Sequence, residues 1–261
     1  MRLADYLRRI EEPAPSHPDA EALRRIHRAH RRTFRFDNLD IQTGRGVSLA
    51  LDALERKFLD EGGGGYCFEH NTLLATVLRE LAYDVRLLLA RVRRGPRDGW
   101  VRTHMLLRVT IDGEPWIADA GFGATSLLEP MPLREGAESQ QGGLLYVVRR
   151  EDLHWVLATR GADGITDLYE FTEEAQTPMD VEMSNHFTAT HPLSIFRRTL
   201  TIQTANDAER LILRNGVVTR IRGGVPTEEP IGDHGVRAAA KELFGVALPE
   251  EKMLFEALIE P

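Results

Sequence analysis

The sequence predicts an α+β protein with helices and strands in separate layers, on three observations. Apolar residues recur at helical spacing through the first third, short apolar runs broken by turn signals replace them after Tyr83, and a mixture of both closes the chain. At 261 residues and 42% hydrophobic content, the chain can bury a sizeable core, enough for one large domain or two to three small ones.

Leu3, Tyr6, Leu7 and Ile10 mark an amphipathic helix over residues 3–10, and Leu23, Ile26 and His30 mark a second over 20–32. Pro13, Pro15 and Pro18 separate them, because proline has neither the donor nor the geometry to continue a helix. A third helix is expected over 51–59. A fourth opens after the glycines at 62–65 and carries Cys67, running to residue 82.

The strand-like runs are 85–92, 104–111, 116–120, 144–148 and 155–158, with Asp112-Gly113 and Ala162-Asp163-Gly164 as turns between some of them. They predict an antiparallel sheet or barrel. Further strands are expected at 200–204, 210–213 and 217–221, then a helix at 235–244. There is no internal repeat and no low-complexity tract.

Forty acidic against 33 basic residues leave a formal charge of -7, which lacks the positive potential that attracts nucleic acid. The opening MRLADYLRRIEEP alternates charged and apolar residues, unlike a signal peptide, and no run approaches the roughly 20 apolar residues that span a bilayer. The expectations are no nucleic-acid or membrane partner and a cytoplasmic location. A single cysteine, Cys67, rules out an intrachain disulfide and a multi-cysteine zinc site, so packing or reactivity must explain it.

Residues 61–71 read EGGGGYCFEHN and lead into the helical TLLATVLRELA. The glycines permit a tight turn, and the helix places Cys67 near its positive end, an environment that lowers a thiol pKa from about 8.5 toward roughly 3.5–7.5. The bland alternative is a buried small hydrophobe. Four glycines argue against it, since they cost conformational entropy unless the turn or close approach is used.

A cysteine nucleophile needs a base, and the base an orienting partner. Among nine histidines, His104 opens the strand-like HMLLRV, and PWIADAGFG brings Asp119 to the end of the next strand. Antiparallel strands joined at Asp112-Gly113 can set the two side by side, because cross-strand neighbours lie about 5 Å apart. Alone, a strand histidine is more often a packing residue. His27 and His30 have metal-compatible spacing but no third ligand close in sequence, so no metal is expected. The five arginines of RRIHRAHRR read as a solvated helix face. His70 points away from the helix cap, and NHFTATHP, with His186 and His191, reads as a polar loop beside a site.

These blocks together resemble the arylamine N-acetyltransferase family over nearly the whole chain: FDNLD at 36–40, GGYCFEHN at 64–71, HMLLRV, DAGFG at 119–123, LYEFT and ATHPLSIF. The resemblance implies an N-terminal helical bundle (1–84), a central antiparallel β-barrel (85–194) and a C-terminal α/β lid (195–261), with a cysteine-protease-like Cys-His-Asp arrangement at Cys67, His104 and Asp119. It implies a soluble xenobiotic-metabolising acyltransferase that uses acetyl-CoA as acyl donor and an arylamine or arylhydrazine as acceptor. Phe36 and Phe122 become candidates for the wall receiving an aromatic amine, or else ordinary core. Gly123, Thr190 and Arg197 become candidate CoA contacts on resemblance alone, with Arg197 and Arg198 equally readable as surface charge.

Two departures stand out. The family usually has arginine where this chain has Gly63, and usually reads Pro-Phe-Glu-Asn where this chain has Arg35-Phe36-Asp37-Asn38. A buried arginine would fix neighbouring loops through charge-assisted hydrogen bonds, and the sequence marks no substitute. Competing readings are a macrolactam-forming amide synthase, which differs in acyl donor, a thiol protease or transglutaminase-like enzyme, and a binding protein with a degenerate site.

Overall fold

The computed structural model describes residues 1–161, 164–251 and 253–256. Two helices open it, α1 (Leu3–Ile10) and α2 (Ala20–Thr33). Asp19 caps α2 by accepting the Ala22 amide at 2.7 Å. The periodic positions of the sequence are the buried ones: Tyr6, Leu7 and Ile10 on α1, Leu23, Ile26 and His30 on α2. Next come β1 (Phe36–Asp37), α3 (Leu39–Gln42) and α4 (Leu51–Glu55), which winds on as a π-helical segment (Arg56–Asp60) before α5 (Cys67–Glu80). Tyr6, Leu23, Phe58 and Leu74 belong to the apolar cluster these helices share.

The strands after Tyr83 are β2 (Asp84–Val92), β3 (Arg102–Ile111), β4 (Glu114–Ala118), β5 (Met131–Pro132), β6 (Glu138–Gln141), β7 (Leu144–Glu151), β8 (His154–Gly161) and β9 (Gly164–Phe171). They form one antiparallel sheet ordered β5-β4-β3-β2-β9-β8-β7-β6. The chain between β5 and β6 reaches across, with Leu133 N donating to Pro115 O (2.8 Å) and Gly136 N to Val148 O (2.9 Å), so the sheet is nearly a closed barrel. Leu88, Leu106, Tyr146 and Leu157 contribute to its core. The expected turn residues Ala162 and Asp163 lie outside the described residues.

α6 (Pro178–Thr190) follows and packs on β3, then α7 (Ile195–Arg198), β10 (Thr201–Ala205), β11 (Arg210–Arg214), β12 (Val217–Arg222), β13 (Val225–Pro230) and α8 (Gly232–Phe244). The second sheet runs β1-β10-β11-β12-β13, antiparallel throughout. Its edge strand, β1, comes from the N-terminal third, Phe36 opposite Gln203 and Asp37 opposite Ile202. Ile202, Leu213, Val236 and Ala240 join the cluster beneath α8.

Three expectations need correction. NHFTATHP is no loop: α6 runs through Thr190, started by Pro178 in its first turn and by the reciprocal Thr177–Asp180 cap. The arginines of α2 are not all solvated, because Arg31 lies buried with its guanidinium turned inward. β9 was not anticipated as a strand, since its first half is polar and exposed and only Tyr169 to Phe171 are fully covered. No helix among the described residues is long and apolar enough to cross a membrane.

Candidate active site

Cys67 is the first residue of α5, and α5 packs against β2 and β3. Glu69, two residues on, turns back so that its Oε2 accepts the Tyr66 amide at 3.0 Å, while Tyr66 Oη donates to Asn185 Oδ1 of α6. The helix start is thereby tied on both sides. Across from it, β3 carries a bulge: Ala90 pairs with His104 but Arg91 with Arg102, leaving Thr103 as the extra residue. The Thr103 carbonyl accepts the Cys67 Sγ–H at 3.7 Å, so the bulge brings β3 to the sulfur just before His104.

His104 and Asp119 meet as the spacing predicted, His104 Nε2 donating to Asp119 Oδ2 at 2.9 Å in a buried pair. Asp119 lies one residue past the end of β4. It also accepts Tyr169 Oη at 2.9 Å, Asn71 Nδ2 at 3.1 Å and the Gly121 amide at 2.9 Å. Burial acts to raise the carboxyl pKa, but His104, the Gly121 amide and Asn71 hold it down at about 2. With Nε2–H committed to Asp119, the neutral ring has its lone pair on Nδ1, the nitrogen that can take a proton. The ring is wedged between Phe122 and Tyr169, each centroid 4.8 Å away.

Asn71 and Tyr169 were missed as site residues. Asn71 sits four residues after Cys67, hence on the same helix face, and that spacing was the available signal. It donates to Met105 O (2.7 Å) and accepts from Ala120 N (3.1 Å), joining α5, β3 and the loop after Asp119. Tyr169 lies in LYEFT, but nothing local assigns it to Asp119, which is 50 residues away.

The loop from Asp119 to Ser126 is held from behind by two buried guanidiniums. Arg31 donates to the Ala120 and Gly123 carbonyls (3.1 and 2.8 Å), and Arg210 of β11 to the Ala124 and Ser126 carbonyls. Burial and then the charge of Arg210 lower the Arg31 pKa to about 10, which leaves it charged at neutral pH. Such charge-assisted bonds are worth about 1.5–3 kcal/mol each. At the front, Gly121 lies against the nucleophile, and a Cβ there would sit 2.5 Å from Cys67 Cα.

Gly63 carries no guanidinium, but Arg35 brings one to the same turn. Its Nε donates to Asp37 Oδ2 and its Nη1 to Gly62 O, both at 2.9 Å, so a guanidinium does tie β1 to the glycine turn. The Arg35 carbonyl accepts Gly65 N (3.4 Å) and His70 Nε2 (3.1 Å), and a Cβ at Gly64 would overlap that oxygen. Position 63 has no room, because a Cβ there would lie 2.8 Å from Lys57 O. Lys57 completes the turn with 2.6 Å ion pairs to Asp40 and Glu69.

Cys67, His104, Phe36, Phe122 and Gly123 all line one cavity of about 710 Å³, together with Phe187 of α6 and Phe196 of α7. Thr190 and Arg197 do not line it; Arg197 Nη1 donates to Thr190 O at 2.6 Å on the exposed end of α6. His27 and His30 are buried in hydrogen bonds: His27 Nδ1 bonds Leu128 O (3.0 Å), and His30 bridges Tyr6 Oη (2.8 Å) and His70 Nδ1 (2.9 Å). Burial pushes the Cys67 thiol up, the Met105 amide opposes it, and the Asp119 carboxylate adds to it. Burial can exceed the helix-end effect, since desolvation shifts run to about 3–5 units and a helix terminus gives only about 0.3–1 kcal/mol. A thiolate here therefore requires a base to take its proton.

A family model described as N-acetyltransferase matches residues 19–253. The arylamine N-acetyltransferase / N-hydroxyarylamine O-acetyltransferase of Salmonella typhimurium is 37% identical over 214 residues, 81% of this chain and 76% of that one. Among solved structures, the arylamine N-acetyltransferase of Mycobacterium abscessus is similar with a TM-score of 0.91 at 30% identity, covering 100% of this chain and 96% of the other. The Mycobacterium marinum arylamine N-acetyltransferase in complex with CoA is similar with a TM-score of 0.87 at 32% identity, covering 94% and 92%. With the helix-borne cysteine and the strand-borne histidine opening on one cavity and Asp119 bonded behind that histidine, these similarities agree, and the chain belongs to the arylamine N-acetyltransferase family.

Proposed function

We propose that this protein is an acetyl-CoA-dependent N-acetyltransferase that passes an acetyl group through an acetyl-Cys67 intermediate to an arylamine, arylhydrazine or related amine. The observation that carries the reading is the buried His104–Asp119 pair, 2.9 Å apart, with His104 and Cys67 lining the same cavity. The family's CoA-bound relative supports the donor.

His104 Nδ1 takes the thiol proton, and the resulting imidazolium is stabilised by Asp119. The Cys67 thiolate attacks the thioester carbonyl carbon, the carbon–sulfur bond to CoA breaks, and the CoA thiolate leaves with the proton from His104. The amine then attacks acetyl-Cys67 and gives its proton to His104, and the Cys67 sulfur departs as the amide forms. Phe36 and Phe122 form the apolar wall for an aromatic acceptor, supported by their place in the cavity, and Gly123 is a candidate CoA contact for the same reason. The positions of Thr190 and Arg197 off the cavity do not support that role for them. Residues 1–84, 85–194 and 195–261 serve as three working parts, supported only coarsely by the three apolar clusters, because the first also takes in Leu89, Met105, Leu107, Val109 and Ala118 of the barrel and Val181 of α6.

Mass spectrometry after incubation with acetyl-CoA tests the reading. A single acetyl adduct on the wild-type chain, absent from Cys67→Ala, is expected; no adduct on either would remove the acyl-cysteine mechanism.

A further inference from the structure

Two exposed arginines that the acyl-transfer chemistry leaves unused are among the residues lining the cavity. Arg94 follows the end of β2 on the barrel side, and Arg214 ends β11 in the second sheet; both line the cavity that holds Cys67. They are close enough that the charge of Arg94 adds to partial burial in disfavouring the charged form of Arg214, with Glu228 opposing. Among the described residues neither makes an ion pair within 4 Å. The contrast with their neighbours is sharp: Arg93 is held by Glu151, Asp167 and Glu170, Arg102 by Glu174, and Arg197 and Arg198 by the Thr190 and Pro192 carbonyls.

Two like charges from different parts of the fold, lining one cavity with no carboxylate in ion-pair contact among the described residues, repel until an anion bridges them. The whole chain carries a formal charge of -7, so a polyanionic substrate is repelled at long range and needs local compensation. Guanidinium suits phosphate through paired N–H donors. Of the residues expected to contact the donor, Gly123 lines the same cavity as the two arginines, while Thr190 and Arg197 bond each other off it.

We propose that Arg94 and Arg214 form an anion subsite on the wall of the acyl-transfer cavity that takes a phosphate group of the acyl donor. The subsite rests on acetyl-CoA being that donor. It gives the enzyme its preference for a phosphorylated thioester over the same thioester arm without phosphate, and it links the barrel to the second sheet when donor is bound.

The test compares acetyl-CoA, S-acetylpantetheine, which has no phosphate, and p-nitrophenyl acetate, which has neither phosphate nor pantetheine, on the full chain and on Arg94→Gln, Arg214→Gln and the double variant. Each single substitution is expected to lower the acetyl-CoA to S-acetylpantetheine ratio of kcat/KM about tenfold, through KM, and the double variant further. Rising salt should lower the same ratio for the wild type and much less for the double variant. An unchanged ratio in the double variant overturns the subsite, and so does an equal fall with both thioesters. Free CoA and dephospho-CoA as product inhibitors then locate the phosphate: weaker inhibition by CoA alone assigns the 3′-phosphate, weaker inhibition by both assigns the diphosphate, and no change for either overturns the proposal. A wild-type chain acylated by p-nitrophenyl acetate but not by acetyl-CoA would instead refute the donor itself.

Discussion

Tyr169 Oη and His104 Nε2 donate to the same oxygen, Oδ2 of Asp119, each at 2.9 Å, while Asn71 and the Gly121 amide take Oδ1. The aspartate is saturated by donors from four parts of the chain, so its orientation does not depend on the imidazole alone. Removing one hydrogen bond to a buried charge costs about 1.5–3 kcal/mol. Tyr169→Phe should therefore slow Cys67 acylation about tenfold or more while the protein stays folded, measured by single-turnover acetylation beside thermal unfolding. Full acylation speed in that variant would reduce Tyr169 to a packing residue.

Thiolate formation at Cys67 works against burial, which raises the thiol, and against the Asp119 carboxylate. The proton must go to His104. Replacing it by Gln should cut iodoacetamide labelling of Cys67 at pH 7 by about tenfold or more, because a thiol with a raised pKa has little thiolate at neutral pH. Labelling recovers at alkaline pH. Equal labelling of both proteins at pH 7 would detach His104 from the thiol.

Arg35 is a positioning residue, since it touches the glycine turn and Asp37 and reaches Cys67 only through them. Arg35→Met should lower the acylation rate about tenfold, with Arg35→Lys recovering part of it. Well below the unfolding temperature, a stable Arg35→Met protein with wild-type acylation would show that Tyr66 and Glu69 hold the turn unaided.

Gly121 faces Cys67 Cα with no space for a methyl group. Gly121→Ala should push the loop and the α5 start apart, costing about 1–3 kcal/mol of stability by overpacking and more in rate than in KM. A denaturant midpoint within error of wild type, with normal kcat, contradicts this close approach.

The histidine chain predicts acid sensitivity. Its tautomers follow from its end: the Arg35 carbonyl only accepts, so His70 carries its proton on Nε2, His30 donates from Nε2 to His70 Nδ1, and Tyr6 donates to His30 Nδ1. Burial lowers His70 to about 3 and His30 well below its usual value, followed for His70 by the charge of Arg31 and for His30 by that of His70. The unfolded chain, with histidines near 6.5, binds more protons than the native state from that pH downward. Stability should thus be full above about pH 7 and lost progressively toward the folded value, at about 2 kcal/mol per histidine by pH 5. Urea midpoints across pH 5–7.5 check this, and a flat profile would contradict neutral burial.

Much of this was readable along the chain. The amphipathic period of α1 and α2, the proline break, the glycine turn before Cys67 and the alternating strands around Asp112-Gly113 are local patterns, and each specifies its element without distant partners. Cys67, His104 and Asp119 could each be nominated from a helix start, a strand start and a strand end, but local pattern left His104 open, and the family resemblance was what joined the three. The bulge at Thr103, the Tyr169 and Asn71 bonds to Asp119, the inward turn of Arg31, and β1 pairing with β10 were not legible. Each joins residues far apart in the chain, and a side chain's partners there depend on which surfaces the packed core brings together. Arg35 shows the division most clearly. The sequence determined that an arginine was absent at Gly63 and present at 35; only the fold, by pressing Gly64 onto the Arg35 carbonyl and closing position 63 against Lys57, decided that the guanidinium tied to the glycine turn is the one from position 35.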